Sequence, residues 1–169
     1  MRIRGVDVYF HWTVFLVGLL IVLIAGRRPV LTITALLSFL GLLLLHEAGH
    51  MIVAQRLGTR VREIRLYPIF GLCIFDTPWS RFDHCVIALG GVLAQAVVAI
   101  PLLLYTSYFG YTRFAALNAI LGIFGGYSVV LAVFNLLPIG RLDGATAWLI
   151  IPEFFRRLRK KSATKPRWH

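Results

Sequence analysis

Acidic residues are scarce in this chain. Its 169 residues hold 7 Asp and Glu against 18 Lys and Arg, a formal net charge of +11. Any site that needs a carboxylate must therefore draw on a very short list. Cysteine is scarcer still: Cys73 and Cys85 stand alone, with no metal or redox spacing, so a thiolate zinc site or a disulfide framework is excluded and free thiols are expected. No internal repeat or low-complexity stretch is apparent, which argues against a repeat-built transporter. The N-terminal Met1-Arg2-Ile3-Arg4-Gly5 leads into apolar residues without a small-residue cleavage site, so a cleaved signal peptide is not expected. Ser128 is followed by Val129-Val130 and has no G-x-S-x-G setting, so a serine-type intramembrane protease is only weakly supported.

Apolar residues are what the chain has instead, at 59% with a mean hydropathy of +0.79. That is far above the average for a soluble domain and marks an α-helical polytopic membrane protein. About four transmembrane helices are expected, at Val8 to Gly26, Val30 to Leu57, His84 to Phe109 and Phe114 to Leu137. The basic surplus flanks these runs, so it reads as a topology signal rather than a nucleic-acid surface. His11 and Trp12 open the first span, where His11 is read as an interfacial residue ahead of a ligand.

The second span carries His46-Glu47-Ala48-Gly49-His50 in its last third. On a helix His46 and His50 lie one turn apart on one face and can converge on a tetrahedral ion, with Glu47 beside them to take a proton from water. The bland alternative is three polar residues satisfied by helix neighbours. Against it stands the apolar run Leu36 to Leu45, which puts these groups at membrane depth, where unpaired polar groups are expensive.

Beyond Gly58 the period changes. Ile64 and Leu66 alternate with Glu63 and Arg65, and Tyr67 to Gly71 reads as a turn before Leu72 to Phe75, so a membrane-surface β-hairpin is expected, with a plain connecting loop as the alternative. An edge strand beside a metal site could hold an extended peptide by backbone pairing. In the third span Gly90-Gly91, Ala94 and Ala96 offer a close-approach face carrying Gln95, read as interhelical glue ahead of a catalytic group. His84 and Cys85, beside Asp83, lack partner spacing for a second metal site. The fourth span ends in Asn135 to Gly144, where Pro138 and Gly140 must break the helix; irregular backbone at that depth implies a site wall. Ala145 to Pro152 is too short to span and is expected to lie on or dip into the membrane. Beyond it, Arg156-Arg157-Leu158-Arg159-Lys160-Lys161 opens a mobile basic tail suited to an anionic leaflet.

Charge tests this layout. Outside the spans only Arg27, Arg28 and Arg113 fall on one side; the remaining Lys and Arg fall on the other, which the positive-inside rule makes cytosolic, both termini included. The ends of spans two and four then share a depth. Asp7, Glu63, Asp76, Asp83 and Glu153 fall in loops or near surfaces, leaving Asp143 as the best third ligand. Two imidazoles, one carboxylate and an open position make a catalytic zinc site, one Zn²⁺ per chain.

At this point the chain resembles the site-2 protease family of intramembrane zinc metalloproteases, in a minimal form without a PDZ insertion or a C-terminal regulatory domain. His46 to His50 is similar to the family's H-E-x-G-H, and Asn135 to Gly144 to its N-x-x-P-x-x-x-L-D-G; Gly58 to Gly71 resembles its membrane-associated hairpin. Val92, Gln95 and Ala145 depart from the proline, asparagine and glycine common there. The resemblance implies regulated intramembrane proteolysis, with His46, His50 and Asp143 as metal ligands, Glu47 as general base and Asn135 helping to stabilise the oxyanion. Residues 1–155 would form the protease core and 156–169 a basic cytosolic tail, in the cell membrane. Membrane-spanning protein substrates and the lipid bilayer are the expected partners, with a regulatory membrane protein or a second copy of the chain as further candidates, and no nucleic acid. The rivals are a catalytically silent membrane scaffold of the same family and, more weakly, an ion or metal transporter.

Overall fold

The structure, a computed structural model, describes residues 1–25, 28–140 and 142–163. The expected end of the first span at Gly26 and Arg27, Arg141 in the irregular segment, and the tail beyond Ala163 lie outside the described residues. In chain order the elements are β1 (Arg2–Ile3), β2 (Val6–Phe10), α1 (Trp12–Ile24), α2 (Pro29–Arg56), β3 (Val61–Leu66), β4 (Gly71–Phe75) and α3 (Arg81–Phe109). Then follow α4 (Ala115–Gly122), a π-helical turn (Ile123–Tyr127), α5 (Ser128–Asn135), α6 (Asp143–Ala147) and α7 (Ile150–Ala163).

Among the described residues, three helices are long and apolar enough to cross a bilayer: Pro29–Arg56, Arg81–Phe109 and the continuous Ala115–Asn135. Trp12–Ile24 is apolar but shorter. The chain is thus a multi-pass helical membrane protein. The first span, expected from Val8, starts later. Val8 to Phe10 belong to β2, where Val6 and Val8 are buried and Asp7 and Tyr9 face outward. That two-residue alternation feeds a sheet, and the helix starts only after His11. Its 13 residues reach about 20 Å at 1.5 Å per residue, short of the ~30 Å hydrocarbon layer.

The sheet runs β1-β2-β3-β4. β2 pairs parallel to β3, with Val8 opposite Ile64, and β3 pairs antiparallel to β4, with Ile64 opposite Cys73. The expected hairpin is thus the β3-β4 half of a larger sheet that the N-terminus completes. Val6, Val8, Ile64 and Leu66 pack with Leu43 and Met51 of α2 in one buried cluster, so the sheet rests on the helix stretch that carries the H-E-x-x-H motif. β4 is the last strand, so its outer edge is unpaired by the sheet.

Helix ends follow local chemistry. Pro29 starts α2, where its missing N–H costs nothing, and Gly58, at φ +74°, ends that turn in the left-handed region. Ser80 caps α3: its hydroxyl accepts from the Asp83 N–H at 3.1 Å and donates to the Asp83 carboxylate at 2.7 Å. α2 and α3 meet where neither has a side chain. A β-carbon on Gly49 would strike the Gly90 carbonyl, and one on Gly90 would come within 2.7 Å of the Gly49 carbonyl. The basic run expected as a mobile tail instead continues α7 as helix through Ala163. Ile151, Phe154, Phe155 and Leu158 fall at helical spacing there, which lets one face be apolar while the arginines take the other.

Candidate metal centre

His46, Glu47 and His50 project from the last third of α2, and all three are buried. Asp143 arrives from the opposite end of the chain, at the first residue of α6. The irregular stretch before it brings it there: Gly140, at φ +58°, turns the backbone, and Gly144 lets α6 fold against the end of α5. A β-carbon on Gly144 would collide with the Leu136 carbonyl, and the Trp148 indole N–H donates to that same carbonyl at 2.7 Å. Asp143 is thereby held against the two imidazoles. Its Oδ2 lies 2.9 Å from His46 Nε2 and 3.2 Å from His50 Nε2, and the two Nε2 atoms are 3.1 Å apart.

The donor set fits a cation. His50 Nδ1 lies 2.7 Å from the Ile87 carbonyl, which only accepts, so Nδ1 carries the proton and a neutral ring turns its Nε2 lone pair toward Asp143. His46 Nδ1 lies 3.1 Å from Gln95 Oε1, which fixes the same tautomer. Two imidazole lone pairs and a carboxylate oxygen then point at one another, an arrangement that repels unless a positive charge lies between them. Gly91 leaves room for the rings: a β-carbon there would sit 2.5 Å from His46 Cε1 and 2.6 Å from His50 Nε2. Among the described residues, His46, His50 and Asp143 form the one group of three or more His, Cys, Asp or Glu side chains placed to share an ion, their ligand atoms all within 4.8 Å.

A cavity of about 740 Å³ opens onto this cluster, between α2, α3, the α5-α6 segment and β4. Glu47, Asn135, Gly71 and Cys73 line it. Gly71 abuts the Glu47 carboxylate so closely that a β-carbon would stand 2.6 Å from Oε1. Asn135 Nδ2 lies 3.4 Å from His46 Nε2, on the edge of the cluster. Burial, helped by the charge of Glu47, pushes the Cys73 thiol up to about 12. The expected residues thus meet in one place. His11 does not join them: it caps α1 and stacks on Tyr67 at 4.9 Å between ring centroids. His84 lines the cavity wall but is no part of the triad. The roles of Gly71, Gly91 and Cys73 were missed in the sequence, where only the run of small residues around Gly91 hinted at close packing.

A polytopic helical membrane protein with a buried two-histidine, one-aspartate cluster beside a glutamate is the class that this fold and geometry define. Residues 34–118 match Peptidase family M50. A zinc metalloprotease of Methanocaldococcus jannaschii is 28% identical over 150 residues, 85% of this chain and 42% of that protein. A relative from Synechocystis sp. is 34% identical over 116 residues, 66% of this chain and 29% of its own length. The solved site-2 protease from Methanocaldococcus jannaschii superposes with a TM-score of 0.63 at 25% identity, covering 89% of this chain and 69% of that one. The chain belongs to peptidase family M50, the site-2 protease family that its motifs resemble. It spans less than half the length of the curated relatives it matches.

Proposed function

We propose that this chain is an intramembrane zinc metalloprotease that hydrolyses peptide bonds in or near transmembrane segments of other proteins. The observation that carries the reading is the convergence of His46 Nε2, His50 Nε2 and an Asp143 carboxylate oxygen within 4.8 Å of one another, with buried Glu47 beside them. Zinc held by these three residues would polarise a scissile carbonyl and make water acidic enough to attack at neutral pH. Glu47 takes the proton from that water and passes it to the leaving amine. The Asn135 amide, on the same cavity wall, donates to the oxygen that becomes negative. The free outer edge of β4, which lines the cavity, holds an unwound substrate segment by backbone pairing. A helix must open before its peptide bonds can be attacked, so glycine or proline near the cut favours cleavage.

In this reading residues 1–155 are the protease core, α1 is a fourth membrane-embedded helix, and β3-β4 and α7 lie at the bilayer surface. The basic surplus supports a topology with both termini in the cytosol, residues 156–169 as a basic tail, and the site near the cytosolic leaflet of the cell membrane. Glu47→Gln is the test. Purified protein keeps one zinc per chain while cleavage of a co-reconstituted single-span substrate falls by about 10²- to 10⁴-fold. Equal turnover of the two proteins would overturn the role of Glu47, and no cleavage by either would favour the scaffold.

A further inference from the structure

Gln95 is 1% exposed, deep between α2 and α3, and its side chain is used in a lopsided way. Its Oε1 faces His46 Nδ1 at 3.1 Å, while its Nε2 has no hydrogen-bond partner among the described residues. If this amide served only to join helices, pairing its donor end would matter as much as pairing its acceptor end. On packing grounds alone an apolar side chain would suit the place better, because a buried unpaired N–H₂ costs stability. What the position supplies is one acceptor, aimed at one ring nitrogen.

The rest of α3 repeats the pattern. Ile87, Gly91 and Gln95 recur every four residues along one helix face. The Ile87 carbonyl receives His50 Nδ1 at 2.7 Å, Gly91 has no side chain where the two rings pass, and Gln95 receives His46 Nδ1. An imidazole with its proton held on Nδ1 must offer the Nε2 lone pair, and here both Nε2 atoms point to Asp143. The Ile87 carbonyl is peptide backbone, so His50 is oriented whatever side chain stands at 87. His46 is not: the acceptor at its Nδ1 is the Gln95 side chain, so its orientation depends on which residue stands at 95.

We infer that Gln95 is a positioning residue which, through His46, holds the metal centre in its binding tautomer and orientation. The inference rests on the zinc reading above. An acceptor beyond a ligating histidine sets ring orientation and basicity, and its loss typically lowers metal affinity by about 10- to 100-fold.

The test is zinc affinity by chelator competition on detergent-purified full-length protein at fixed pH, with thermal unfolding of the same samples. Gln95→Leu, which removes the acceptor and the unpaired donor together, weakens zinc binding by about 10- to 100-fold. Gln95→Glu keeps an acceptor on the same stem and binds zinc at least as tightly as the wild type. Pure packing predicts the reverse order: Leu tolerated, the buried carboxylate of Glu harmful, zinc affinity following neither. Unchanged zinc affinity in Gln95→Leu, or equal losses in Gln95→Leu and Gln95→Glu, overturns the inference. Should Gln95→Leu not fold, Gln95→Met replaces it under the same criteria. Failure of the wild type to bind zinc at all would overturn the metal reading itself, and so is told apart from failure of Gln95.

Discussion

Gly91→Ala adds one methyl group at the place where α3 faces both imidazoles. The added β-carbon would stand 2.5 Å from His46 Cε1, 2.6 Å from His46 Nδ1 and 2.6 Å from His50 Nε2. Ordinary carbon contacts begin near 3.4 Å, so one or both rings must retreat by about 0.8 Å. Functional constellations tolerate about 0.5 Å. The His46 ring is tied to Gln95 and the His50 ring to Ile87, so neither can retreat without stretching its hydrogen bond. Overpacking of this kind costs about 1–3 kcal/mol. If half of that falls on the metal-binding geometry, zinc affinity drops about 2- to 12-fold. The assay is chelator competition in detergent, run beside Gly90→Ala and Gly122→Ala. At Gly90 a β-carbon meets the Gly49 backbone at 2.7 Å, so that variant loosens the α2-α3 contact without touching the rings. At Gly122 nothing lies within 4 Å, and affinity is unchanged. A Gly91→Ala protein that holds zinc like the wild type would refute the claim that α3 confines the two histidines.

Two further outcomes follow from the same geometry. Asp143→Ala removes the carboxylate from the cluster and loses zinc at micromolar free metal, as measured by metal analysis after dialysis, while the protein stays folded because Asp143 contributes no packing to the buried core; full retention of zinc would exclude Asp143 as a ligand. Cys73 behaves as an inert thiol: with its pKa pushed up to about 12, thiolate forms only well above neutral pH, so alkylation at pH 8 runs about 10³-fold slower than for an ordinary cysteine. Rapid labelling of Cys73 in the folded protein, read by mass spectrometry, would contradict its half-buried setting beside Glu47.

What could be read in the sequence was local. The H-E-x-x-H turn carries its pattern within five residues, and membrane depth made its polar groups conspicuous; Asp143 needed the charge count across the spans and the short list of carboxylates to be picked out. Ile64 and Leu66 showed β3 by alternation. Val6 and Val8 alternate in the same way, but the apolar run that follows masks them, and their parallel partner lies more than fifty residues on. Pairing at that distance leaves no mark in a short window. The acceptor role of Gln95 was hidden for a similar reason: a lone glutamine among small residues looks the same whether it meets a neighbouring helix or a histidine 49 positions away. In α7 the dense basic residues mask the apolar spacing between them, so the stretch looks like a mobile run although it is helical.

Zinc K-edge X-ray absorption on the purified, metal-saturated protein puts the central claim to its most direct trial, because it counts donor types around the ion. One zinc per chain, with two imidazole nitrogens at about 2.0–2.1 Å and oxygen donors completing the shell, is the predicted result. A sulfur donor near 2.3 Å, which Cys73 in the same cavity would supply, or the lack of any stoichiometric zinc, would contradict it.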